Sequence, residues 1–336
     1  MDYIGSKEKL NSWMFPIMLK GIAPADFAFV DACAGSGSVS KYASSFAFSK
    51  IISNYIMEFP SHIVRGSVCL PVSKKEESVK LINKINSLKG EEGFFYNNYS
   101  EKSGRLYFSN DNAAKIDAGR IFIEEELSQD LYLKSYTLYC MLEAISSVSN
   151  TTGVQAAFLK KLKTRALQPL LLKEQKSLHK YGLVKTYISN ILTLLKNKEY
   201  IKYMEKYPNS ILYIDPPYNQ RQYGPNYHLY ETFVKYDNPK IFGKTGLRDW
   251  KEESKSDFCS KTTCLSFIKE IVNSASSKFI YMSYSSDSIL SKDEICNSFS
   301  NIEAFEFNQK RYKSDANPNK DYNNSELKEY LFKITK

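Results

Sequence analysis

At 336 residues, with 43% hydrophobic and 25% charged positions, the chain is long enough to bury a substantial core, as one large domain or as a core domain with a smaller insertion, and it is not compositionally disordered. No apolar run reaches the ~18 residues of a membrane span and the N-terminus lacks a signal-peptide core, so a cytoplasmic protein with no membrane partner is expected. The six cysteines (Cys33, Cys69, Cys140, Cys259, Cys264 and Cys296) form no CxxC pair and have no histidines at ligand spacing, which argues against a metal site or a disulfide framework.

In chain order, Met1 to Lys7 is a short approach to an amphipathic helical stretch that runs through Leu19. Phe27 to Val30 reads as a buried strand. It ends at Asp31 and enters Ala32-Cys33-Ala34-Gly35-Ser36-Gly37, a small-residue turn leading to a helix over Ser40 to Phe48. A second strand over Lys50 to Asn54 makes the start of a doubly wound α/β sheet. Helical spacing then marks Ser73 to Leu88, with Gly90 as a stop, followed by Asn112 to Glu126 and an apolar core helix over Leu131 to Ser146. After the polar break Asn150 to Gly153, residues 155–206 hold twelve Lys or Arg and three Asp or Glu, an excess equal to the net charge of +9 of the whole chain. A solvated helical face is the ordinary origin of such a run, but an excess of one sign confined to one segment fits a polyanion surface better. Lys160, Lys161, Lys163 and Arg165 are the phosphate candidates. The sheet pattern returns at Ile211, with later strands near Lys278 to Ser283 and Tyr330 to Ile334, so an inserted, mostly helical basic subdomain is expected over 147–206.

Two turns carry chemistry. Gly35 and Gly37 let the backbone approach a nucleoside-like ligand at the carboxyl end of a strand, although Ser40 stands where a dinucleotide fingerprint would place its third glycine. Ile211-Leu212-Tyr213-Ile214 discharges into Asp215-Pro216-Pro217-Tyr218. An amino group on an aromatic ring needs an acceptor for its hydrogens, a rigid carbonyl beside it and a flat surface, and Asp, Pro-Pro and Tyr provide these in order. A strand ending in a proline turn with a capping Asp would look the same. Arg221 and Tyr223 follow at once, in a polar loop suited to contacting the same ligand as the basic segment; His228 reads as structural rather than as a general base.

Tyr3-Ile4-Gly5-Ser6-Lys7, Asp31 to Gly37 and Ile214 to Asn219 resemble, in this order, the alpha class of DNA adenine-N6 methyltransferases, the Dam-like restriction-modification enzymes. Asn150 to Gly153 with Phe158 to Lys160, Arg221 to Tyr223 with Asn226 to His228, Phe279 to Ser286, Arg311 to Ser314 and Glu329 to Phe332 extend the resemblance over nearly the whole chain. It implies a Rossmann-like methyltransferase sheet, with 1–146 and 207–336 as the catalytic domain and 147–206 as the DNA target-recognition subdomain. It implies S-adenosylmethionine as cofactor, bound by Tyr3, Gly5, Ser6, Lys7, Asp31, Ala32, Cys33, Gly35, Gly37, Asn54 and Asp215, with Tyr3 and Lys7 toward the methionine end. Double-stranded DNA is the implied partner, met by the basic residues named above, by Arg221 and by Tyr223, and a cognate restriction endonuclease would act separately. Asp215, Pro216, Pro217 and Tyr218 would methylate a flipped adenine. The sequence departs from the pattern at Tyr55, where the family has an acid for the ribose, and at Cys33, where it has Phe. Cytosine-N4 methylation and a catalytically inactive DNA-binding relative are the alternative readings.

Overall fold

The computed structural model describes residues 6–220, 222–251, 254–309 and 327–336. Its centre is a seven-stranded sheet built from β1 (Ala28–Asp31), β2 (Lys50–Tyr55), β3 (Val184–Ile188), β4 (Ser210–Ile214), β7 (Phe279–Ser285), β8 (Ile302–Gln309) and β9 (Leu327–Thr335), in the order β3-β2-β1-β4-β7-β9-β8. A separate two-stranded ribbon joins β5 (Ile241–Phe242) to β6 (Leu247–Arg248). β3, β2, β1, β4 and β7 run parallel; β9 pairs antiparallel with both β7 and β8. This is the mostly parallel, Rossmann-like methyltransferase sheet expected from the sequence.

Strands buried on both faces read as apolar runs rather than alternating ones, and β1 and β4 obey this throughout. Val30, Ile52, Leu212, Ile280 and Phe332 point to one face, where α8 (Ile191–Lys196), α9 (Lys198–Met204) and α12 (Cys264–Ser274) cover them. Phe29, Ile51, Tyr213 and Leu331 point to the other, against α1 (Asn11–Met18), α2 (Ser38–Ala43) and α3 (Phe59–Cys69). A third apolar cluster joins α3 to α4 (Lys75–Ser87), α5 (Phe94–Tyr99), α6 (Asn110–Leu127), α7 (Leu131–Val148) and α11 (His228–Lys235), the last reached from the turn after β4 through the single turn α10 (Tyr223–Asn226). Short α13 (Lys292–Cys296) precedes β8.

The basic stretch departs from the expected helical insertion. Residues 184–206 belong to the sheet layer, because β3 pairs with β2 from Ile51↔Val184 to Tyr55↔Ile188 and α8 and α9 bury Leu194, Leu195 and Met204 on the sheet. Between α7 and β3 the chain is an extended strap whose one regular turn is Thr164–Leu167. Side chains pin it where a ladder would otherwise do so. Asn150 donates to the carbonyls of Leu106, Leu159 and Lys161 and accepts from Lys163 N–H; Asn112 holds Ala166, Gln168 and Leu170, Asn86 holds Leu172, and the Tyr136 hydroxyl holds Gln175. These buried amides satisfy strap backbone that has no strand neighbour.

Candidate active site

The carboxyl ends of β1, β2, β3 and β4 open into one cavity of about 930 Å³, continuous with solvent. Asp31, Ala32, Cys33, Ala34 and Gly35 form its floor. Ile56 and Met57 after β2, Ser189 and Asn190 after β3, and Asp215 and Pro217 after β4 form its sides; Tyr223, Ser254, Ser256 and Phe258 close it. A ligand crevice beyond the strand ends is where an open parallel sheet places its binding site.

At the β1 end the glycine turn makes room. Gly35 and Gly37 have φ of +48° and +74°, and a Cβ on Gly37 would lie 1.9 Å from the Val64 side chain of α3. Asp31 is fully buried. Its Oδ2 accepts from Ser40 N–H at 3.1 Å and from Ser40 Oγ at 2.7 Å, and Ser40 Oγ lies 2.6 Å from Ser53 Oγ. Oδ1 has no partner among the described residues. Burial pushes the Asp31 acid up to about 7, with the Asp215 charge adding to it and the Ser40 hydrogen bonds opposing it. Such an oxygen lacks a donor. A methyl donor that carries an ammonium suits this end of the cavity in charge.

At the β4 end Asp215 lies beside a network of polar groups. Ser283 Oγ on β7 donates to Asp215 Oδ1 at 2.9 Å and is itself 2.8 Å from the Tyr213 hydroxyl, while Tyr218 OH approaches Oδ1 at 3.4 Å. Burial raises the Asp215 acid above its ordinary value, with Lys7 and Ser283 opposing. Lys7 is buried against the same carboxylate: its ammonium stands 3.4 Å from Asp215 Oδ1 and 3.3 Å from Glu329 Oε2 and donates to the Tyr218 hydroxyl. Burial alone would lower the Lys7 pKa, but the two carboxylates outweigh it and hold the cation protonated. Tyr218 rests edge-on against Tyr284, ring centroids 5.9 Å apart. Tyr284 and Tyr281 are buried core residues of β7.

The expected site residues therefore divide. Asp31, Ala32, Cys33, Gly35, Asn54, Asp215 and Pro217 line the cavity with Lys7, and Gly37 shapes its turn. Asn54 spends its side chain on scaffold: Nδ2 donates to the carbonyls of Ala32 and Ser189, and Oδ1 accepts from Ser189 Oγ. The Tyr55 side chain is buried among the residues packed on α3 and also lines the cavity. Ser6 is exposed and Pro216 is buried. Tyr223 is a wall of the cavity rather than part of an outer surface, with Gln222 bonded to both backbone groups of Ser256 at 2.8 and 3.2 Å. Lys160, Lys161 and Arg165 are exposed on the strap, whereas Lys163 is bonded to the Thr151 carbonyl. His228 is buried, donates to the Gln155 carbonyl and has its pKa lowered by burial to about 3, the structural role expected of it. Tyr3, Ile4, Gly5, Arg221 and Arg311 to Ser314 lie outside the described residues. Ser283 and Glu329 went unread as site residues; each is a buried polar side chain on a strand whose neighbours are largely apolar in the case of Ser283 and mixed in the case of Glu329, where Lys328 masks the signal.

A family model for D12 class N6 adenine-specific DNA methyltransferases matches residues 3–298. The chain belongs to this family. The assignment decides between the two exocyclic amines that Asp215 left open, in favour of adenine N6. Among its relatives, the type II methyltransferase M.NlaIII of Neisseria lactamica is 33% identical over all of this chain and 99% of its own length. The type II methyltransferase M.CviAII of Paramecium bursaria Chlorella virus 1 is 31% identical over 99% of this chain and 97% of its own. The type II methyltransferase M.FokI of Planomicrobium okeanokoites is 30% identical over the whole chain, which spans 53% of that larger protein. The D12 class chain described here thus resembles the first two end to end. Among its described residues, no helix is long and apolar enough to cross a membrane.

Proposed function

We propose that the chain uses S-adenosylmethionine to methylate adenine N6 within a specific sequence of double-stranded DNA, as the modification partner of a separately acting restriction endonuclease in the cytoplasm. The observation that carries this reading is a single cavity lined by two carboxylates: buried Asp31, with an unpartnered oxygen, and part-buried Asp215, at the mouth of a strand. The first suits the ammonium of an amino-acid-bearing donor, the second the hydrogens of a target amine. Both being in place argues against an inactive relative.

The bound donor would supply an electrophilic sulfonium methyl. Asp31 and the Gly35 to Gly37 turn would orient it, and Ser189, Asn190 and the backbone of Ile56 offer neutral groups to its sugar and base. An adenine amine is a poor nucleophile because its lone pair is delocalised into the ring. Hydrogen bonds from N6 to the Asp215 carboxylate and the Pro216 carbonyl favour a more tetrahedral nitrogen, whose lone pair then forms the N–C bond as the S–C bond breaks. The methylated nitrogen carries the positive charge until one proton passes to Asp215. Tyr218 provides a flat surface for a base drawn from the duplex; extraction costs a few kcal/mol and stacking returns about 1–3 kcal/mol.

Asp215→Ala should abolish methyl transfer and leave duplex binding intact. Turnover retained within about tenfold, or about 1.4 kcal/mol of transition-state stabilisation, would contradict the role. Expression in a host followed by single-molecule sequencing would reveal N6-methyladenine at one motif; an unmodified genome from an expressed, folded protein that binds the cofactor would overturn the reading.

A further inference from the structure

We propose that Glu329, on the antiparallel strand β9, is a positioning residue for methyl transfer: it is the counter-charge that lets Lys7 give up Asp215 to the target amine. This rests on the reading of Asp215 as the acceptor for N6. The Lys7 ammonium occupies the place that the amine requires, since it stands 3.4 Å from Asp215 Oδ1, donates to the Tyr218 hydroxyl and lies 4.5 Å from the centre of the Tyr218 ring. A base cannot reach Oδ1 and stack on the Lys7 side of that ring while the cation holds both. Nor can a buried ammonium leave its carboxylate without another to receive it, because an uncompensated buried charge is strongly destabilising.

Glu329 is that second carboxylate. It is buried and 3.3 Å from the Lys7 ammonium, and its side chain makes no other hydrogen bond among the described residues. Its strand pairs with β7 at Ser285↔Glu329, two residues beyond the Ser283 that bonds Asp215, so the sheet itself sets the carboxylate beside the catalytic end. A small rotation of the Lys7 side chain toward Glu329 frees Asp215 Oδ1 and the ring, and keeps the cation paired. The pairing also keeps Lys7 from opposing the positive charge that develops on N6, since the Glu329 charge screens it.

The test compares Glu329→Gln with Glu329→Asp in single-turnover methylation of a duplex substrate, alongside calorimetric binding of S-adenosylmethionine. In Glu329→Gln the remaining carboxylate for Lys7 is Asp215, so the cation competes with the amine. The rate should fall about tenfold or more while cofactor affinity stays within about twofold. Asp215 faces Lys7, Asp31, Cys33, Tyr213, Tyr218, Tyr223, Ser283 and Glu329; removing the Glu329 charge relieves a like-charge neighbour, so the acid limb of the rate profile should move to lower pH. Glu329→Asp should recover most of the rate, and in a Lys7→Met background Glu329→Gln should cost little further. A wild-type rate and an unmoved acid limb in Glu329→Gln would overturn the inference, as would parallel loss of rate and cofactor affinity, the mark of a merely structural residue. Asp215→Ala separates the two levels: if it remains active the amine-acceptor reading fails, whereas an inactive Asp215→Ala beside an unaffected Glu329→Gln refutes only the inference.

Discussion

Asp31 has one oxygen bonded to Ser40 and one without a partner among the described residues, and on the proposed reading this makes it a proton-linked binding group. Its acid is raised from an ordinary 3.8 to about 7 by burial. The folded, ligand-free protein therefore holds a proton that the unfolded chain releases, so the stability gained from neutral Asp31 is fully present below 3.8 and is lost as pH rises through about 7. A cationic ligand at Oδ1 favours the ionised form. S-adenosylmethionine binding at pH 6 should accordingly release close to one proton, read from calorimetry in buffers of different ionisation enthalpy, and Asp31→Asn should remove both the release and most of the affinity; a wild type with no buffer dependence would sink the assignment. Asp31 and Asp215 were legible because each ends an apolar strand run, and a strand end is where a parallel sheet exposes a side chain to a crevice. The direction of Lys7 was not. The resemblance implies the methionine end for it, and the structure sets it between Asp215 and Glu329, a pairing across the sheet that local spacing does not encode.

On the proposed reading, the glycine turn is the element that shapes the cofactor end of the cavity. Gly37 is both left-handed and in contact range of Val64 through a Cβ it lacks, so Gly37→Ala meets strain and overlap together. Overpacking of this kind costs roughly 1–3 kcal/mol, with the conformational penalty in addition. Urea unfolding should show that loss; a midpoint equal to wild type would mean that α2 and α3 can part at no cost. Strands β1, β2, β4, β7 and β9 and helices α1, α4, α6 and α7 stand where the sequence pattern put them, with bounds shifted by a few residues. Helix α3 was missed because Pro60 and Gly66 lie within it and read as breaks, whereas Gly66 lets the Ser135 and Tyr136 backbone of α7 come close. Strand β3 was missed for another reason: as an edge strand it is half exposed, and Lys185 in its sequence looked like part of the basic run.

On the scale of the whole molecule, the positive charge is spread along a strap and a sheet edge rather than gathered in a separate unit. Lys160 and Lys161 remain free to meet phosphate, whereas Lys163 is committed to Thr151. Neutralising Lys160 and Lys161 to Gln should weaken binding to all duplexes alike and lower the slope of log affinity against log salt by about two, measured by fluorescence anisotropy; an unaltered slope would remove the strap from the interface. The strand order has a further consequence, for synthesis. β1 lies at the middle of the sheet, but its partner β4 pairs Ala28 with Ser210, more than half the chain away. While the ribosome makes the intervening helices, β1 has an apolar edge that only later residues can cover. The sheet closes late, after the helical layer has had time to form, so pauses in translation before residue 210 lengthen the interval in which that edge is open to aggregation.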